Sequence, residues 1–403
     1  GEGYPPCEPS VALNLKDTSN IVVASILNRI YVTNDGGKTW EKQRIESKYG
    51  VFGDPVLLSD LKGNIYFFHL SDPAKKGWES ENLLDRMVCQ KSEDQGKTWT
   101  QDTFFGYAHP KDQDKEWAAL DYENNDIYVT WTQFDKYNSP DPEHKSNILF
   151  THSSNGGKKW SDAKQINQYS GDCLDDDGTT EGAVPAVGPD GKLYVVWSHD
   201  EKIYFDRSYD KGKMWLRNDI ILGKQPGGWS FDIPGLNRTN GMPSIVVDNS
   251  YSRVRGTIYV SWSDQRNGMD NTDIWLSRSS NGGDIWTAPI RINNDTTGNH
   301  QFLSSLTIDQ TTGILYAVFY DRRNYDDNQT DVYLAYSANG GVSFENVKIS
   351  ETPFIPTEGN FFGDYTHIVA HKGLIVPVWT RMDEGKTSVM TAIIHQKDLI
   401  KLP

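Results

Sequence analysis

The stretch Ser279-Ser280-Asn281-Gly282-Gly283-Asp284-Ile285-Trp286 reads as Ser or Thr, one residue, Asp or Asn, one residue, Gly, two residues and an aromatic. The same pattern returns at Thr33-Asn34-Asp35-Gly36-Gly37-Lys38-Thr39-Trp40, and again from Ser92 to Trp99, Ser153 to Trp160, Ser208 to Trp215 and Ser337 to Phe344. The closing aromatics stand at 40, 99, 160, 215, 286 and 344, so successive copies lie 59, 61, 55, 71 and 58 residues apart. Spacing this regular is a repeat period and governs the reading of every other segment. Each copy has the chemistry of a tight turn between two strands. The Asp or Asn is expected to cap backbone N–H groups two or so residues on, the Gly to take a positive φ, and the aromatic to plug the gap between neighbouring units. None of these residue types is needed there for catalysis, so the motif reads as a staple of the fold.

Around each turn the chain repeats one plan: an inner strand, a second apolar strand, a third strand running into the turn, and a short fourth. The first unit places these at residues 10–14, 21–25, 29–33 and 41–45. Later inner strands open at Asp54, Glu116, Glu181, near Met242, at Phe302 and at Tyr365. The second strands at 64–68, 127–131, 193–197, 258–262, 315–319 and 374–379 are β-branched or aromatic runs after a Gly, Asp or Asn turn. The expected fold is therefore all-β, a β-propeller of four-stranded blades. Seven blades are favoured, with six as the alternative if the first and last units share one sheet.

A chain of 403 residues exceeds the usual single-core size, but a repeat architecture escapes that limit because each unit packs only on its neighbours. One domain spanning the whole chain is expected. Thirteen Trp, twenty Tyr and thirty-five Gly suit many short strands and tight turns. A net charge of −15 argues against nucleic acid, whose phosphates an acidic surface repels. No apolar run approaches the roughly 20 residues that span a bilayer. Cys7, Cys89 and Cys173 lack metal-type spacing, and one disulfide among them is open. The chain opens on Gly1 without an apolar leader, which fits a processed signal peptide and a secreted, periplasmic or cell-surface protein. A monomer is expected.

The six turns resemble the Asp-box (BNR) repeat of the sialidase superfamily, over nearly the whole chain. That resemblance implies a propeller whose active site lies on the face opposite the Asp boxes. In propeller geometry, loops that lead into inner strands and loops that leave second strands meet on one face. Leading in are Glu8, Asp54, Glu116, Glu181, His300 with Gln301, and Asp364 with Tyr365. Leaving are Asp72, Asp135, His199, Asp264 with Arg266, Asp321 with Arg322 and Arg323, and Arg381 with Asp383.

The resemblance makes Tyr365 the nucleophile and Glu181 the carboxylate that takes its proton, since a phenol with a pKa near 10 needs such a partner. Glu116 and Asp54 are further candidate acids. Sialidases carry an Arg in a Phe-Arg-Ile-Pro motif at the first inner strand, one of three that clamp the substrate carboxylate. Here that stretch is Cys7-Glu8-Pro9-Ser10, and an acid in that place would repel sialic acid. The expected substrate-binding set is Glu8, Asp264, Arg266, Asp321, Arg322, Arg323, Asp364 and Arg381. Its arginines are suited to an anionic sugar group, and equally to ion pairs that brace loops.

No cofactor is required; the acids between Asp172 and Asp177 would suit Ca²⁺, although their spacing is not that of an EF-hand loop. The segment from Tyr137 to His144 and Trp229-Ser230-Phe231 are candidate aromatic platforms for sugar rings. The expected activity is that of a glycoside hydrolase on a carbohydrate other than ordinary sialosides. A lyase using Tyr365 or His300 on a uronate, and a glycan- or protein-binding propeller without catalysis, are the alternatives.

Overall fold

The computed structural model describes residues 4–399. Among these, seven four-stranded antiparallel sheets follow one another along the chain, the blades of a seven-bladed β-propeller. The first blade runs Ser10–Leu13, Ile21–Ser25, Arg29–Thr33, Glu41–Arg44. The next six open with inner strands Val56–Ser59, Asp112–Leu120, Glu181–Val187, Ser244–Val247, Gln301–Asp309 and His367–His371. Their second strands are Ile65–Leu70, Ile127–Phe134, Leu193–His199, Ile258–Asp264, Ile314–Asp321 and Leu374–Asp383. The last blade is completed from its own segment: the short strand Ile394–His395 pairs on the second strand, Leu374 with His395. First and last repeats thus build separate sheets, and there are seven blades.

Second strands are apolar throughout because both of their faces are covered. Ile65–Leu70 and Ile314–Asp321 are buried at every residue, whereas the fourth strand Glu41–Arg44 is mostly exposed. Trp131, Trp197 and Trp262 occupy one register position in three successive second strands and are fully buried, each worth on the order of 3–5 kcal/mol against truncation to Ala.

The six turns share one hydrogen-bond pattern. The Ser or Thr hydroxyl accepts from the N–H of the glycine four residues on: Gly37 to Thr33 at 3.0 Å, Gly96 to Ser92 at 2.8 Å, and Gly283 to Ser279 at 2.9 Å. The Asp or Asn takes an N–H four residues on, not two: Thr39 to Asp35 at 3.0 Å and Ile285 to Asn281 at 3.0 Å. Trp40, Trp215 and Trp286 donate their indole N–H back to the motif glycine's carbonyl. In these copies the motif bonds within its own turn, the mark of a staple of the fold, whereas Trp160 donates to the Thr103 hydroxyl outside its turn.

The chain forms two compact units, one from residue 12 to 222 and the other comprising the chain up to residue 11 together with residue 223 onward. Cys7, Cys89 and Cys173 are each buried, and no disulfide joins them. Among the described residues no helix is long and apolar enough to cross a membrane.

Candidate functional site

In the unit from residue 12 to 222, the start of each inner strand is bent in the same way. Pairing of Asp112–Leu120 with its neighbour slips between Thr130 and Thr132, and pairing of Glu181–Val187 slips between Glu181 and Val184. Each slip is a β-bulge, with Lys115 (φ 45°) or Gly182 (φ 69°) in the left-handed region. Asp54 (φ 46°) bends the chain before Val56–Ser59. A left-handed Lys costs on the order of 1 kcal/mol, and such costs cluster at functional sites.

The bulges put Asp114 opposite Thr132 and Glu181 opposite Ser198, the same register position in adjacent blades. The Asp114 carboxyl is hydrogen-bonded to that of Asp54. Removal from water first, then the charges of Asp54, Glu181 and Asp175, hold its pKa well above the usual carboxylate range. Close carboxyls disfavour one another's ionised form, and here the group that is held towards its protonated form is Asp114. Glu181 is buried; its Oε1 accepts from the Thr132 hydroxyl at 2.8 Å and from the Gly182 N–H at 3.1 Å. Asp175 accepts from the Tyr137 hydroxyl at 2.6 Å. Glu116 is fully buried and neither of its oxygens has a partner among the described residues. Burial pushes its carboxyl up to about 8, with Lys115 opposing and Asp54 adding to the rise.

Sequence reasoning singled out Asp54, Glu116 and Glu181 but opened the third inner strand at Glu116, which passes over Asp114. It is instead the third residue of strand Asp112–Leu120, which continues past the bulge because Gln113 pairs with Gln133 and its Oε1 accepts from the Trp131 indole at 2.8 Å. The acids of the Asp172–Asp177 loop are engaged within the protein: Asp172 accepts from Leu174 N and the Thr179 hydroxyl, and Asp176 from Asp177 N. Among the described residues no group of three or more His, Cys, Asp or Glu is arranged to hold a metal.

The other unit carries Glu8, Asp364 and Tyr365. Glu8 (φ 53°) is buried, and its Oε1 accepts the Asp364 N–H at 3.2 Å. Gly363 has φ 98°, and a Cβ there would lie 2.9 Å from the Glu8 Cγ, so only glycine lets the two segments approach this closely. Asp364 is gripped from a residue that sequence reasoning missed: Arg238 donates Nε at 2.9 Å and Nη2 at 2.6 Å to its two oxygens, and Asn240 donates to its carbonyl at 2.7 Å. Arg238 sits in a long irregular segment between strands, where no pattern signals it. Tyr365 is buried beside this cluster.

The remaining arginines have partners of their own. Arg266 pairs with Asp264 and lies over the Trp275 ring at 4.2 Å. Arg323 pairs with Asp321 and donates to Asn294 and Asn346. Arg381 pairs with Asp383 and donates to the Thr352 and Pro353 carbonyls. Arg322 is buried, held by Thr330 and Asn328 with its Nη2 unpartnered, and burial lowers it to about 10. Burial and this cation bring His300 down to about 4. Trp229 and Phe231, expected as sugar platforms, are buried, Phe231 in a cluster with Ile233 and Leu236.

No family model matches the sequence. A sialidase of Bacteroides fragilis (strain YCH46) is 34% identical over 88 residues, 17% of this chain and 16% of that protein's length. Among solved structures, a polysaccharide lyase described as an ulvan lyase aligns with a TM-score of 0.57 at 12% identity, over 98% of this chain and 95% of that one. A Hadza microbial sialidase aligns at 0.51 and 13%, over 96% and 76%. The fold is that of the sialidase-like β-propellers. The α-L-arabinofuranosidase Arb93A of Fusarium graminearum shares it too, at 0.53 and 14%, over 99% and 96%. Within this sialidase-like set the named activities differ, so the fold leaves the chemistry to be argued from the residues.

Proposed function

We propose that the chain is a secreted glycan-processing enzyme, a glycoside hydrolase of sialidase-like type acting on a glycan other than ordinary sialosides. The observation that carries this reading is the clustering of acids at one register position of two adjacent blades, Asp114 and Glu181, with Asp54 beside Asp114, which raises the Asp114 pKa well above the usual carboxylate range. Glycoside cleavage needs a carboxylic acid that keeps its proton near neutral pH to protonate the leaving oxygen, and a second carboxylate that stays ionised. Asp114, with Asp54 beside it, supplies the acid. Glu181, held by Thr132 and the Gly182 N–H, supplies the base, with Tyr365 as the nucleophile the resemblance implies. Glu116 adds a second high-pKa carboxyl. Arg238, its side chain 42% exposed beside Asp364, is the most open of these guanidinium groups to an anionic sugar group; Arg266, Arg322, Arg323 and Arg381 brace their own loops. Glu8 in the place of the sialidase arginine disfavours a sialic acid carboxylate.

A lyase would need a strong base beside a uronate. His300, at about 4, is neutral but weakly basic, which favours the hydrolase. The test is product release from neutral, uronate-containing, sulfated and sialylated glycans, following reducing ends and ultraviolet absorbance together, with Glu181→Gln and Tyr365→Phe alongside. New reducing ends without absorbance, lost in Glu181→Gln, are expected. An absorbing unsaturated product would replace the hydrolase with the lyase.

A further inference from the structure

We propose that Trp78 is the stacking platform of a sugar subsite beside the carboxylates of the 12–222 unit, so that the ligand is an oligosaccharide rather than a single sugar. Trp78 lies on the short helical turn Gly77–Glu79 after the second strand of the second blade, and it is 61% exposed. Exposed tryptophan on a mobile loop would be unremarkable, but this one is fixed from three sides. The Gly77 N–H donates to Asp72 Oδ2 at 2.7 Å, which anchors the turn. Phe52 meets the indole edge-on at 5.5 Å, and Tyr137 stacks on it at 5.6 Å with 26° between the planes. An indole stacked on one side and largely open to solvent presents a flat apolar surface of the size of a sugar ring, preorganised at no further entropic cost.

Its place gives the surface a purpose. Tyr137, the ring beneath it, donates its hydroxyl to Asp175 at 2.6 Å, and Asp175 is one of the charges that act on Asp114. The platform is thus linked to Asp114, by a hydrogen bond from Tyr137 to Asp175 and then by the charge of Asp175. Aromatic rings beside a few convergent polar groups are the usual lining of a carbohydrate-sized site. This assignment rests on the glycan reading above and names the part of the ligand that the reading leaves open.

The experiment separates the two. Affinity of arrayed neutral, uronate-containing, sulfated and sialylated hexasaccharides is measured by calorimetry on the Glu181→Gln protein, with and without Trp78→Ala and Trp78→Phe. Turnover of the same hexasaccharides and of aryl monosaccharides is followed on the otherwise unaltered protein. Trp78→Ala should weaken hexasaccharide binding by about tenfold or more and Trp78→Phe by much less. In turnover, KM for hexasaccharide should rise while kcat, and both constants for the aryl monosaccharide, hold. Hexasaccharide binding that Trp78→Ala leaves unchanged overturns the platform, even where turnover supports the hydrolase. So does binding of no hexasaccharide, or a loss confined to self-association in sedimentation. Binding that depends on Trp78 without turnover of any glycan keeps the platform and removes the hydrolase.

Discussion

Glu116 and Asp114 are the residues on which pH acts most directly. The folded Glu116 carboxyl keeps its proton to about 8, while an unfolded chain releases it near 4.5. Its folded pKa is raised, so its contribution is fully present below the unfolded value and is lost as pH rises through the folded one. The loss reaches roughly 4–5 kcal/mol, since the side chain is fully buried. Glu116→Gln should therefore flatten the alkaline decline. Urea midpoints at about pH 5 and about pH 9 check this; equal declines in both proteins would deny Glu116 the proton. Lys115, left-handed between the two acids, explains why both side chains are held where charge is costly.

At the scale of elements, the turns and the bulges divide the work. Each turn satisfies its own backbone, so Ser279→Ala, which removes the acceptor of the buried Gly283 N–H, should cost about 1–3 kcal/mol, read as a lowered denaturation midpoint. Gly50 is less forgiving. It has φ 69°, and a Cβ there would fall 1.9 Å from the Asp72 carbonyl oxygen. Gly50→Ala must displace the segment whose Asp72 anchors the Trp78 turn, and should cost upwards of about 2 kcal/mol and weaken hexasaccharide binding as well. Calorimetry and urea unfolding on one preparation would check both.

The turns and apolar second strands were legible because their signals are local: a glycine at fixed spacing, a β-branched run. Asp114 and Trp78 were not. The His109-to-Lys115 stretch is polar and ordinarily a loop, and only its pairing with Gln133 and Phe134 across the bulge makes it strand. Trp78 stands in a Lys- and Gly-containing loop, and what gives it meaning is Tyr137, some sixty residues on.

Over the whole molecule, the net charge of −15 opposes anionic ligands at long range. If an anionic glycan is the ligand, its affinity should improve as salt rises from about 0.01 M to about 0.15 M and screening shortens from about 30 Å to about 8 Å. A neutral glycan should show no trend. Titrations at the two ionic strengths separate these cases, and an anionic affinity that falls with salt would mean that the local arginines outweigh the net charge.

The claim on which the account turns is that Asp114 gives its proton to the glycosidic oxygen. The most direct test is the pH dependence of kcat/KM for the wild type and Asp114→Asn, on whichever glycan releases reducing ends. A general acid works while protonated, so wild-type activity should hold on the acid side and fall as pH rises through the raised pKa of Asp114. Asp114→Asn should lose about a hundredfold or more in rate, together with that alkaline limb. An Asp114→Asn protein with the wild-type rate and an unchanged profile would contradict the account.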